Sequence, residues 1–323
     1  KVGVILPDSA SSARWETADR KYLTDAFTAA NIQFDIQNAG GDKAKFATIC
    51  DSLIAGGVNV LMIVNLDSDT GSACEKKASA QGIKTIDYDR LTLGGGAAVY
   101  VSFDNVAVGK AEGDGLVQCL KAQGVTSGTV DLLNGSPTDN NATLFKQGYQ
   151  AAITGAGFTI GEDQAVPDWD NTKAGTIFEQ MFAKNPKIVG VDAANDGLGG
   201  AAIAVLAKNG LAGKVPVTGQ DATDEGLTRV LEGTQCVTVY KAIKKEADAA
   251  SAAAIALANG QAPATNGTVK DSTSGMDVPS VLLTPQPIFK DNVKDVIADG
   301  FTTAAKICTT DAAKAECTKQ GIS

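Results

Sequence analysis

Leu132-Leu133-Asn134-Gly135-Ser136-Pro137-Thr138-Asp139-Asn140-Asn141 closes an apolar run that begins at Thr129 and opens an amphipathic one carrying Phe145 and Tyr149. Gly135 and Pro137 stop the strand-like run, and Asp139 stands where a helix would begin. The stretch therefore predicts a buried strand, a tight loop and a helix N-terminus, with a carboxylate and two amides at the junction. In open parallel α/β sheets, ligands sit just beyond the carboxyl ends of the strands. Two readings stay open on this stretch alone: Asp139 caps the helix beside a solvated turn, or Asp139 and Asn141 line a site while Asn140 serves the turn.

Outward from this junction the same rhythm repeats. Apolar strand-like runs fall at 2–6, 33–38, 58–64, 84–87, 98–102, 129–133, 158–166, 188–192, 215–218 and 237–240. Helical patterns fall between them at 16–30, 43–55, 71–81, 106–122, 141–154, 172–183, 198–209 and 225–232. Such alternation predicts parallel sheets covered by helices on both faces. About ten strands are many for one open sheet, so two α/β lobes are expected, and 323 residues suffice for two domains. An Ala-rich helix over 245–258 ends at Asn259-Gly260, as a left-handed cap would end it. A Gly/Thr/Ser-rich stretch follows, then Val281-Leu282-Leu283-Thr284-Pro285 and a tail over 291–323 expected to be helical.

The balance of 28 Lys+Arg against 37 Asp+Glu leaves a net charge of −9. Nucleic acid needs a basic footprint, and anionic lipid attracts polybasic segments; this chain offers neither. No apolar run reaches the ~20 residues of a membrane span. The chain starts directly on a strand, Lys1-Val2-Gly3-Val4-Ile5-Leu6, so any export signal is expected to be gone already. Six cysteines are scattered and there is no His, so no zinc-ligand spacing exists. Cys308 and Cys317 are close enough to close a local loop, and Cys50 and Cys74 lie in consecutive expected helices. That leaves Cys119 with Cys236. Disulfides would place the protein outside the cytoplasm; six buried free thiols in a cytosolic chain are the alternative.

Polar residues recur just past the expected strand ends: Asp87-Tyr88-Asp89-Arg90, Asp139-Asn140-Asn141, Asn195-Asp196-Gly197, Gln220-Asp221 and Lys241. Both tryptophans, in Arg14-Trp15 and Asp168-Trp169-Asp170, fall in strand-to-helix connections. Each hydroxyl of a sugar both donates and accepts, so recognition calls for carboxylates beside amides and cations. Asp89, Asp139 and Asp221 would accept; Arg14, Arg90, Asn141, Asn195 and Lys241 would donate. An indole covers the apolar face of a sugar ring, although a loop Trp can also lid a core edge. The set suits a small neutral polyol. Without His no Ser-His or Cys-His pair forms, and no G-x-S-x-G, P-loop or helix-opening G-x-G-x-x-G occurs. Carboxylates across a cleft can hydrolyse glycosides, but cations and amides beside each favour the ionised, binding form.

Taken in order, Arg14-Trp15, Tyr88-Asp89-Arg90, Ser102-Phe103-Asp104-Asn105, Gly135-Ser136-Pro137-Thr138-Asp139-Asn140-Asn141-Ala142, Gly219-Gln220-Asp221-Ala222, Thr238-Val239-Tyr240-Lys241 and Val278-Pro279-Ser280-Val281-Leu282-Leu283-Thr284-Pro285 form a constellation. It resembles the xylose-binding proteins of bacterial ABC importers over nearly the whole chain, the cysteine-bearing tail excepted. Asn195-Asp196-Gly197-Leu198 is closer to the related multi-sugar-binding proteins, which accept glucose, arabinose and other aldoses. The resemblance implies an α/β fold of the periplasmic-binding-protein type I: two doubly wound parallel-sheet lobes joined by three crossovers, near 103–105, 240–242 and 283–285. The lobes would be 1–103 plus 241–282 and 104–240 plus 283–323, with a monosaccharide held between them. Sugar would shift the pair from an open towards a closed arrangement.

The matching positions imply that Arg14, Arg90, Asp139, Asn141, Asn195, Asp221 and Lys241 hydrogen-bond the sugar while Trp15 and Trp169 stack on it. The resemblance further implies a monomer that is not an enzyme and takes no cofactor, with an importer's membrane subunits as partner. Its place would be extracytoplasmic, in a periplasm or lipid-anchored at a cell surface. D-xylose is the expected ligand, and a multi-aldose receptor is the alternative. The sensor domain of a sugar-responsive regulator shares the architecture, but would need a basic helix-turn-helix ahead of Lys1.

Overall fold

The computed structural model describes residues 1–322; Ser323, the last residue of the expected helical tail, lies outside them. The elements run β1 (Val2–Leu6), α1 (Arg20–Ala29), β2 (Phe34–Asn38), α2 (Lys43–Ala55), β3 (Val60–Ile63), α3 (Ser68–Ala80), β4 (Lys84–Tyr88), β5 (Val99–Phe103) and α4 (Asn105–Ala122). They continue with β6 (Thr129–Asn134), α5 (Asn140–Gly155), β7 (Thr159–Ala165), α6 (Asn171–Lys184), β8 (Gly190–Ala193), α7 (Asp196–Lys208), α8 (Asp224–Glu232), β9 (Thr238–Tyr240) and α9 (Ile243–Ala258). The chain ends with β10 (Gly267–Lys270), β11 (Asp277–Leu283), β12 (Gln286–Ile288), α10 (Lys294–Ala298), α11 (Ala304–Ile307) and α12 (Asp311–Gln320). They fold into two compact units: Lys1–Asp104, Thr138–Asn141 and Ile243–Leu283 form the first, and Asn105–Pro137, Ala142–Ala242 and Thr284–Ser323 the second.

In the first unit seven strands form one sheet in the order β10-β11-β5-β4-β3-β1-β2. Side chains alternate across a strand, so successive residues serve opposite faces. Val2, Val4 and Leu6 of β1 join Val60 and Met62 of β3 against Leu23 and Phe27 of α1 and the alanines of α9. Ile5, Leu61 and Ile63 face the other way, onto Phe46, Ile49 and Leu53 of α2 and Ala78 of α3. A run of small alanines lets α9 lie close to the sheet. The sheet is parallel from β2 to β11, but β10 pairs antiparallel with β11. The Gly/Thr/Ser-rich stretch therefore hides an edge strand, because Gly267-Thr268-Val269-Lys270 is mostly exposed and lacks an apolar face.

The second unit holds a parallel three-stranded sheet, β7-β6-β8, and an antiparallel pair, β12-β9. The strand expected over 215–218 is reduced to one isolated bridge, Val191 with Val217, and a second bridge just beyond it joins Gln220 to Val239. Pro216 has no N–H to give a ladder, which is why regular pairing fails there. Between α4 and α5 the backbones come very close: a Cβ on Gly109 would lie 1.9 Å from the Phe145 carbonyl oxygen, so only glycine fits. The tail packs Val293, Val296, Ile307, Ala313 and Cys317 onto Leu227, Val230 and Leu231 of α8.

Cys50 bonds Cys74, joining α2 to α3; Cys119 of α4 bonds Cys236; Cys308 bonds Cys317 in the tail. No helix among the described residues is long and apolar enough to cross a membrane. The Cys119–Cys236 bond spans 117 residues and Cys308–Cys317 only 9. Loop-closure entropy then predicts a cost of ~5 kcal/mol for the double Ser variant of the first pair and ~2.5 kcal/mol for that of the second. Urea unfolding of the two variants measures the difference, and equal costs would reject the loop-entropy account.

Candidate functional site

In the first unit, the chain leaves β1 and wraps into a wide π turn, Trp15–Asp19, before α1 begins. The helix expected over 16–30 is continuous, its first turn widened into this π turn, which carries Trp15 and Asp19 inward, where both are buried. Arg14 is 5% exposed and sits among three carboxylates. Its Nε and Nη2 donate to Asp19 at 2.8 and 2.7 Å, Nη2 also to Glu246 at 2.7 Å, and Nη1 to Asp89 at 2.7 Å. Burial works against the charge on Arg14, but Asp19, Asp89 and Glu246 outweigh it and hold the guanidinium well above its ordinary pKa. A guanidinium has five N–H donors, so these bonds leave Arg14 one donor, on Nη1, for anything else.

The indole of Trp15 lies under two guanidinium groups, with Arg14 Cζ 4.3 Å and Arg90 Cζ 5.5 Å from its ring centre. Trp15 Nε1 donates to Ser11 Oγ at 3.1 Å, which fixes the ring. Arg90 pairs with Asp139 at 3.1 Å, and both side chains are buried. Asp139 also accepts from the Asn141 backbone N–H at 2.9 Å. Helix cap and candidate site residue are thus the same carboxylate. Asn141 Nδ2 donates to the Asp89 carbonyl at 2.9 Å, and that carbonyl also accepts from Tyr100 Oη at 3.0 Å and Ser102 Oγ at 2.8 Å. Arg14, Trp15, Asp89, Arg90, Asp139 and Asn141 therefore come together in this unit.

Trp169, Asn195, Asp221 and Lys241 lie in the second unit. Lys241 pairs with Asp221 at 3.1 Å, and its Nζ stands 5.8 Å from the centre of the Phe145 ring. Phe145 in turn meets Trp169 edge-on, with ring centres 6.4 Å apart. Gly135 of the opening stretch is what admits this indole, since a Cβ there would lie 2.1 Å from the ring. Asn195 caps α7, its Oδ1 accepting from the Leu198 N–H at 2.8 Å, which leaves the amide Nδ2 to donate. Asn134, also in the opening stretch, serves the fold instead: Tyr149 donates to its Oδ1 and its Nδ2 donates to Asp163.

Backbone strain marks the same positions. Among the described residues, six non-glycines have positive φ, and five of them are Asp89, Asp168, Trp169, Asp221 and Ala222. Each costs on the order of 1–3 kcal/mol and persists only where its surroundings hold it, as at ligand sites. Behind Lys241 and Asp221, burial pushes the Glu112 and Asp192 carboxyls well above their ordinary range, and Asp196 up to about 6. Asp19, Glu246 and Tyr100 are not among the residues expected from sequence, and Tyr88, named there only within its motif, donates to Asp19 at 2.5 Å. Asp19 has a weak local signal, five residues after Arg14; Glu246 lies 232 residues away and has none. No group among the described residues has the makings of a metal site.

The chain matches the family model described as periplasmic binding protein domain over residues 2–262. It is 37% identical over 308 residues to the D-xylose-binding periplasmic protein of Escherichia coli (strain K12), covering 93% of this chain and 90% of that protein. It is 30% identical over 330 residues to the multiple sugar-binding periplasmic protein SbpA of Azospirillum brasilense, covering 94% and 90%. Among solved structures it resembles a carbohydrate transporter solute binding protein from Chloroflexus aurantiacus in complex with D-glucose, with TM-score 0.83, 27% identity and 94% and 97% of the two chains covered.

Arg14→Met would leave Asp19, Asp89 and Glu246 without their shared cation. Removing one partner of a buried charge cluster costs about 3–5 kcal/mol. Urea unfolding of the variant should show a loss of this size, and a loss under ~1 kcal/mol would mean the carboxylates re-pair without Arg14.

Proposed function

The chain belongs to the periplasmic binding protein domain family, and from that premise we propose that it is an extracytoplasmic receptor that captures a monosaccharide, D-xylose foremost, and delivers it as a monomer to the membrane subunits of an ABC importer. Members of this family are solute-binding receptors, not enzymes. The observation that carries the sugar reading is a pair of matched arrangements. Arg90 with Asp139 and Lys241 with Asp221 are each a buried cation–carboxylate pair set beside an aromatic ring, Trp15 in one unit and Phe145 in the other. A buried ion pair holds charge without excess of either sign, which suits a neutral polyol better than an anion. Its remaining lone pairs and N–H groups make charge-assisted hydrogen bonds to hydroxyls.

The ligand set in this reading is Trp15, Asp89, Arg90, Asp139, Asn141, Trp169, Asn195, Asp221 and Lys241, with Arg14 contributing its one remaining donor and otherwise holding Asp89. The D-xylose-binding relative at 37% identity supports xylose. Asn195-Asp196-Gly197-Leu198, the multiple sugar-binding relative and the glucose-bound structure support a second reading, a receptor for several aldoses. Three disulfides agree with an oxidising, extracytoplasmic compartment.

Calorimetric titration with D-xylose, D-glucose, L-arabinose, D-galactose and D-ribose tests the reading. D-xylose should bind with Kd near or below ~1 μM, about −8 kcal/mol; comparable affinity for several sugars would select the second reading, and binding of none would reject both. Asp139→Ala should weaken the favoured sugar by at least ~2 kcal/mol, because it leaves the buried Arg90 unpaired. Unchanged affinity would reduce Asp139 to a cap.

A further inference from the structure

A second carboxyl cluster lies in the first unit, away from the residues assigned to the sugar. Glu75 of α3 is 2% exposed and Asp87 of β4 is fully buried; both Glu75 carboxyl oxygens are buried without a hydrogen-bond donor, and the Asp87 carboxyl stands close enough to act on them. The loop after Arg90 passes directly over Glu75: a Cβ on Gly95 would fall 2.1 Å from Glu75 Oε2. The titratable groups facing the pair are Asp271, from the turn between β10 and β11, and the Tyr100 phenol of β5. Neither is a cation. Two carboxylates in contact in a dry interior, with a third acid nearby, cannot both ionise. The pair must share a proton. Asp87 is the member that accepts from its surroundings, taking the Thr92 N–H at 2.7 Å and the Thr92 hydroxyl at 2.6 Å. Glu75 is therefore the protonated member, and burial with Asp87 beside it pushes its carboxyl far up.

From Asp87 the bonds run onward to Arg90. Asn65 Nδ2 donates to Thr92 Oγ1 at 2.9 Å and to the Arg90 carbonyl at 3.3 Å, while Arg90 Nη1 donates back to the Asn65 carbonyl at 3.1 Å. We propose that Glu75, as a neutral acid donating its proton to Asp87, is a positioning residue for Arg90, acting through Thr92 and Asn65 to set sugar affinity. The proposal rests on the reading that Arg90 binds the sugar. With Glu75 protonated, Asp87, which burial pushes up to about 6, keeps its charge at pH 7 and holds both groups of Thr92; Thr92 orients Asn65; Asn65 grips Arg90 at its carbonyl and its guanidinium. An ionised Glu75 would repel Asp87 and loosen the loop that begins at Arg90.

The proton itself is measurable. The folded state keeps a proton on Glu75 that the unfolded chain releases above about pH 4.3. Stability from this group is present below that pH and is lost as pH rises, so the wild-type unfolding constant should gain up to tenfold per pH unit relative to Glu75→Gln. Urea unfolding of both proteins from pH 5 to pH 8 should show this divergence, and parallel profiles would overturn the proton assignment. D-xylose titration at pH 7 supplies the second arm. Glu75→Gln, which still donates, should keep wild-type affinity, whereas Glu75→Leu and Thr92→Val should weaken binding about tenfold. Thr92→Val removes only the bridging hydroxyl and keeps the arm readable if Glu75→Leu does not fold. Wild-type affinity in Thr92→Val overturns the positioning role, as does a tenfold loss in folded Glu75→Gln. Arg90→Ala separates the premise: if it binds sugar normally, the reading of Arg90 fails while the unfolding arm still decides where the proton sits.

Discussion

Burying one guanidinium organises the first unit. Arg14 cannot stay charged in the interior unless its donors are met, and Asp19, Asp89 and Glu246 meet four of them. Those three carboxylates come from the turn after β1, the end of β4 and the start of α9, so one cation ties together segments remote in sequence. Asp89 is thereby held in a left-handed conformation that an aspartate does not adopt for nothing. Its carbonyl then collects Asn141, Tyr100 and Ser102. Trp15, trapped beneath Arg14 and Arg90, inherits a fixed plane from the same cluster.

The second unit solves a similar problem with fewer charges. Lys241 is balanced by Asp221 and rests over Phe145, whose edge meets Trp169. The strain at Asp168, Trp169, Asp221 and Ala222 lies in loops that follow strand ends, where hydrogen bonds such as Asp168 N–H to Ser136 Oγ and Ala222 N–H to Thr238 Oγ1 hold the backbone in place. Both units thus use rigid strand ends to hold polar groups already oriented, and groups oriented in advance lower the entropic cost of any binding they take part in.

Legibility from sequence follows the range of the forces involved. The helix over 43–55 was read with its true bounds because Asp42 caps it and its apolar face repeats locally. The edge strand β10 escaped because a polar, exposed strand has no period to detect. Residues 215–218 had a strand's composition, yet Pro216 denied them a ladder. Among site candidates, Asp139 could be read as a helix cap or as an acceptor in a site, but its ion-pair partner could not be named, since a cap and an ion-pair partner look the same in one dimension. The structure shows both bonds on one carboxylate.

Residue order dictates the alternation of strand and helix, the polar residues at strand ends, and the aromatic and charged types available there. Those features are local, written in periods of two and 3.6 residues and in turn chemistry. Which charges meet follows from packing. Glu246 reaches Arg14 across 232 residues, and Glu75 finds Asp87 instead of a cation. Charge state and pairing depend on burial, and burial is a property of packed neighbours that no single stretch of chain carries. Asp139-Asn140-Asn141 shows both sides: its loop and helix start were legible in the residues, and its partnership with Arg90 and Asp89 came only with the fold.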